Sequence, residues 1–92
     1  MDKTKILKEF QTLPGVGKSI AEDLWKMGFR SIDELKNKDP ERLYEQLNKQ
    51  TGTTVDRCML YVFRCIAYFV KETKHKPELL NWWNWSDKNL KK

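Results

Sequence analysis

The chain is poor in the residues that build metal and redox centres: it has one histidine and two cysteines, with no CxxC pair and no Cys/His cluster. A zinc site is therefore not expected. Cys58 and Cys65 stand seven residues apart in one helical stretch, roughly 10 Å of rise. That distance excludes a disulfide between them and suits thiols kept reduced in a cytoplasm. Long apolar runs are lacking too. The longest, CMLYVFRCIAYFV at 58–70, carries Arg64 inside it and falls short of the ~20 residues a bilayer span requires. MDKTKILKEF sets charge among its apolar pairs, unlike a secretory signal, so a cytoplasmic location and no membrane partner are expected. No nucleophile–base pair, paired carboxylates or metal set can be assembled by spacing, so neither catalysis nor a small-molecule substrate is expected. There is also no Gly/Ser linker, no low-complexity tract, no repeat and no alternating strand pattern.

What is present suits one globular domain over 1–92. Hydrophobic residues make up 39%, with four Trp, four Phe and three Tyr, enough for one core at this length. The net charge of +5 is uneven: +2 over residues 1–18, −2 over 19–56 and +5 over 57–92. Helix signals follow one another with short joints. Asp2 can cap a helix over 3–12 with Ile6, Leu7 and Phe10 inward, stopped by Pro14 and Gly15. Ser19 with Glu22 has the spacing of a capping box, for a second helix with Ile20, Ala21, Leu24 and Trp25 inward and Gly28 at its end. Ser31 with Glu34 repeats that spacing for a short third helix, Ile32 to Lys36. Asp39, Pro40 and Glu41 open a fourth, with Leu43, Tyr44 and Leu47 inward, and Gly52 closes it. Thr53 or Thr54 then caps a helix over 55–73, apolar almost all round and so central to the fold. Pro77 starts a last short helix, PELLNWWNW, and the polar tail 86–92 is expected to fray. The fold class is all-α, a single small orthogonal bundle of five or six helices.

The sharpest local pattern is LPGVGKSIAEDLWKMGF at 13–29. Gly15 and Gly17 can adopt positive φ or let a ligand approach closely, and Val16 between them points into the core. The turn's amides, with the unsatisfied N–H groups that open the following helix, make a concave donor set suited to a phosphate oxygen. Lys18 adds a positive charge. The run Leu13, Pro14, Gly15, Val16, Gly17 and Ala21 resembles the helix-hairpin-helix superfamily. Nearly the whole chain resembles the bacterial "pathogenicity locus" family, also called mitomycin-resistance related, through LPGVGKSIAEDLWKMGFRSIDEL, DPERLYEQL, VDRCMLYVFRCIAYF and PELLNWWNW. The resemblance implies a SAM-domain-like fold with one exposed hairpin at 13–19. It also implies sequence-independent DNA binding at Gly15, Val16, Gly17, Lys18 and Ser19, with no cofactor beyond a monovalent cation at the hairpin carbonyls.

Binding through one hairpin is expected to be weak. A cradle neutralising two phosphates gives a salt slope of only about −2, and Glu22 and Asp23 lie close by. Lys3, Lys5 and Lys8, or Lys88, Lys91 and Lys92, can reinforce it where the fold brings them alongside. The rival reading is a protein–protein adaptor that uses the Trp-rich end, with the hairpin purely structural. Trp82 and Trp85 share a helical face and are expected to close the core, leaving Trp83 exposed for base stacking or a partner. Cys58 and Cys65 are read as core residues, and His75 as a solvated residue at a helix end. Arg57 and Arg64 are read as ion-pair partners of Glu41 or Glu45.

Overall fold

Side chains that satisfy the first backbone amides fix where the helices begin. In a computed structural model of the protein, which describes residues 2–90, Asp2 accepts from the Thr4 amide at 2.9 Å and opens α1, Lys3–Phe10. The second helix, α2, Lys18–Lys26, starts at Gly17 with no side-chain cap. It ends where Gly28 takes φ 101° and the Phe29 amide reaches back to Leu24 O at 3.1 Å, a closure that a left-handed glycine permits. Asp39 accepts from the Glu41 amide at 3.0 Å, Pro40 fills the first position of α3, Pro40–Thr51, and Gly52 closes it. Asp56 accepts from the Cys58 amide at 2.9 Å and opens α4, Cys58–Lys71.

Among the described residues there is no strand, and the four helices of eight residues or more number fewer than the five or six expected. Two expected capping boxes do not form. Ser19 lies inside α2, and Glu34 accepts instead from the Arg30 amide at 2.6 Å, ahead of a 3-10 turn at Ile32–Leu35. The central helix is shorter than 55–73. Val55 is held in the preceding loop, where its amide donates to Asn48 Oδ1 at 2.6 Å and its carbonyl accepts from Tyr44. Neither Thr53 nor Thr54 caps the helix.

The last expected helix is two 3-10 turns, Pro77–Leu80 and Trp82–Trp85. Asn84 Nδ2 donates to Glu78 O at 2.6 Å and Trp85 Nε1 to Leu79 O at 2.8 Å. Side chains thus occupy carbonyls that a continuous α-helix would bond to its own amides. Beyond them Asp87–Leu90 makes one more helical turn, so the tail is not frayed at its start. Asp87 binds both Arg57 and Arg64, and the paired guanidinium groups, Arg57 foremost, hold its carboxyl well below the usual carboxylate range. Lys91 and Lys92 lie outside the described residues.

These elements enclose one continuous core. Phe10, Ala21, Leu24, Leu60, Phe63 and Cys65 are fully out of solvent, and Leu35, Leu43, Leu47 and Ile66 nearly so. α1 packs on α2, while α4 is covered by α3, by Ile32–Leu35 and by the tryptophan-bearing turns. No described helix is long and apolar enough to cross a membrane.

Candidate functional site

The turn between α1 and α2 is anchored at two apolar points, Leu13 and Val16, both buried. Between them Pro14 is followed by Gly15 at φ 77°, and the Val16 amide donates to Leu13 O at 3.2 Å. Proline and then a positive-φ glycine inside a closed four-residue loop is the signature of a type II turn. Val16 therefore points inward as expected, but its amide is engaged and is not a free donor.

Gly17 differs from Gly15. Its backbone is extended, at φ −98° and ψ −169°, and a Cβ placed on it would meet nothing within 4 Å. Neither a positive φ nor packing within the chain requires glycine there. Among the described residues, nothing accepts from the amides of Gly15, Gly17, Lys18 or Ser19. All four residues are exposed. Four of the five residues singled out by sequence thus present unengaged N–H groups, and Val16 holds them in place.

The charge around them is more favourable than the sequence suggests. Lys18 lines a cleft of roughly 410 Å³ with Lys3 and Lys8 of α1 and Glu22 of α2. Lys3 Nζ is 3.3 Å from Glu22 Oε2, so that carboxylate is already partnered. Asp23 is half-buried, and burial raises its pKa above the ordinary aspartate value.

The other neighbour of the turn comes from the far end of the chain. A Cβ at Gly15 would stand 3.1 Å from Trp82 Cδ1, so the indole lies on the turn. Trp83 meets Trp82 edge-on with ring centres 5.7 Å apart and remains 55% exposed. Trp85 faces elsewhere, tilted against Tyr68. The exposure of Trp83 and the packing of Trp82 on the core agree with the sequence reading. Trp85, however, does not share the Trp82 face or join that core cluster, and the Trp82–Gly15 contact has no local signal in the sequence. Gly15→Ala meets both obstacles, a left-handed φ and the indole. It is expected to cost about 1–3 kcal/mol, measured as a lowered denaturation midpoint, whereas Gly28→Ala meets only the first.

The remaining candidate side chains take no part in this site. Cys65 is buried, which pushes its thiol up to about 11, but Cys58 is exposed rather than in the core. A hydrogen bond with Asp56 also raises the Cys58 thiol, so neither cysteine is an activated nucleophile. His75 is not simply solvated. It stacks on Phe69 at 4.7 Å, with Nε2 2.9 Å from Phe69 O. Arg64 pairs with Glu41 at 2.7 Å as expected, whereas Arg57 pairs with Asp87 instead of an α3 acid. Among the described residues no three metal-ligating side chains group together.

Fold and turn together define a small all-α protein whose exposed inter-helix turn carries free amides and lysines. The chain belongs to the pathogenicity locus family, Cdd1, which it matches over residues 3–91. It is also 27% identical over 78 residues to mitomycin resistance protein McrB of Streptomyces lavendulae, an alignment that covers 85% of this chain and 70% of that protein. No solved structure matches it.

Proposed function

We propose that the chain is a non-enzymatic, cytoplasmic helix-hairpin-helix protein that binds the phosphate backbone of DNA weakly and without sequence preference, through Gly15, Val16, Gly17, Lys18 and Ser19. The observation that carries this reading is the set of four unengaged amides at an exposed turn, beside a cleft lined by three lysines. Backbone N–H groups ahead of a helix bind phosphate oxygens by direct hydrogen bonds and by the positive end of the dipole. The open space over Gly17 gives the phosphate room. The carbonyls of Pro14, Gly15 and Val16 accept no hydrogen bond from a described residue, and a monovalent cation would sit there.

The test exploits an opposition between folding and binding at Gly17. That residue is the N-cap of α2, in ordinary extended geometry, where an aspartate side chain is a better cap than glycine. Gly17→Asp should therefore keep or slightly raise the melting temperature. It places a carboxylate on the donors and should weaken DNA binding about tenfold or more. Fluorescence anisotropy with labelled single- and double-stranded DNA across a salt series measures this. Wild-type binding should fall with salt with a slope near −2, and Lys18→Glu should weaken it further. Equal curves for all three proteins, or no binding at low salt, would transfer the reading to a protein–protein adaptor, which the exposure of Trp83 favours.

A further inference from the structure

We propose that Trp83 is a stacking platform for an unpaired base beside the phosphate-binding turn, so that the surface prefers single-stranded DNA to duplex; this rests on the reading of the turn given above. Trp83 is the exposed large hydrophobic side chain among the described residues, at 55%, on the 3-10 turn Trp82–Trp85. Its neighbours are held firmly. Trp82 meets it edge-on and lies on Gly15, while Asn84 and Trp85 donate to the Glu78 and Leu79 carbonyls. Just beyond, Asp87 is clamped by two arginines. The ring therefore sits on a braced segment, so that little ordering remains to be done when a ligand arrives.

The chemistry beside the ring identifies the occupant. Trp82, edge-on to Trp83, lies on Gly15, whose amide is unengaged, in the turn that leads into Gly17, Lys18 and the cleft Lys18 lines with Lys3 and Lys8. A nucleotide offers both complements at once, an anion and a flat π-face. Stacking on aromatic side chains tolerates any base, as the turn tolerates any phosphate. In a duplex the base faces are covered by their neighbours, so only the phosphate contact is available and the ring gains nothing. Residues 57–92 carry a net +5 in sequence and the whole chain +5, a balance that favours a polyanion over a neutral apolar peptide.

Binding of a labelled oligothymidylate and of a blunt duplex at low salt, with wild type, Trp83→Ala, Trp83→Phe and Gly17→Asp, tests the proposal. Wild type should bind the oligothymidylate more tightly than the duplex. Trp83→Ala should lose about tenfold on the oligothymidylate and nothing on the duplex, and Trp83→Phe should recover most of that loss. Gly17→Asp should weaken both. An unchanged oligothymidylate affinity in Trp83→Ala overturns the platform and leaves the turn standing. Equal losses on both probes also overturn it, since they report damage or general charge effects, and circular dichroism melts of each variant check the fold. An inert Gly17→Asp overturns the phosphate reading itself, and wild-type protein that binds neither probe overturns both.

Discussion

Phe63→Ala should remove about 3–5 kcal/mol of folding stability, out of the total of 5–15 kcal/mol typical of a small domain. Phe63 has no exposed surface and sits on α4 among Phe10, Leu24 and other members of the single core cluster. The α4 helix is covered by α3, by Ile32–Leu35 and by Trp82–Trp85, so the surroundings cannot collapse into the space without shifting several elements. In a domain of this size each kcal/mol displaces the melting temperature by about 4–8 °C, and the substitution should be visible as a fall of tens of degrees. Urea titration checks it: the midpoint should drop while the slope stays near the wild-type value. A loss below about 1 kcal/mol would mean that α4 is not the axis of the core.

Arg64→Ala should be the next most disruptive change, and its effect should be local. The Arg64 side chain is only 12% exposed, and it donates to Glu41 at 2.7 Å, to Asp87 at 2.9 Å and to Trp85 O at 3.0 Å. It thereby joins α3, α4 and the carboxy-terminal segment. Its partners are more accessible to water, at 52% for Glu41 and 33% for Asp87, so screening reduces what the pairs contribute and a cost of about 2 kcal/mol is reasonable. Removing the guanidinium frees the Trp85 carbonyl and leaves Asp87 to Arg57 and to the Tyr61 hydroxyl, 3.4 Å away. Hydrogen exchange should therefore quicken over residues 77–87 before it does in α4, an opening of one unit inside an otherwise intact fold. Uniform acceleration across the chain would refute that local role.

The sequence was most readable where the chemistry is local. Asp39, Pro40 and Gly52 each act on backbone groups within a turn of themselves, and α3 runs between them as expected. The inward sets of α1 to α3 were also visible: Ile6, Phe10, Ala21, Leu24, Leu43 and Leu47 are buried, with Leu7, Ile20, Trp25 and Tyr44 packed beside them. Capping by spacing alone was less reliable. Ser19 and Glu22 have the right separation, but the turn feeds α2 from Gly17, one residue before Lys18 opens the helix, and Lys3 captures Glu22. Spacing predicts a helix after Pro77, but Asn84 and Trp85 compete for its carbonyls, which periodicity cannot register. At the turn, the residue types announced exposed amides, yet the lysine cleft and the Trp82 contact depend on how distant elements dock. No window of sequence contains them.

The indole resting on Gly15 has a temporal consequence. Gly15 and Trp82 are far apart in sequence, so a nascent chain emerging from the ribosome can complete both α1 and α2 long before Trp82 exists to settle on the turn between them. Contacts between distant positions close late, after the intervening chain has been ordered. The finished surface thus waits on the synthesis of Trp82, and any fragment truncated ahead of that residue would carry the same loop with a different floor.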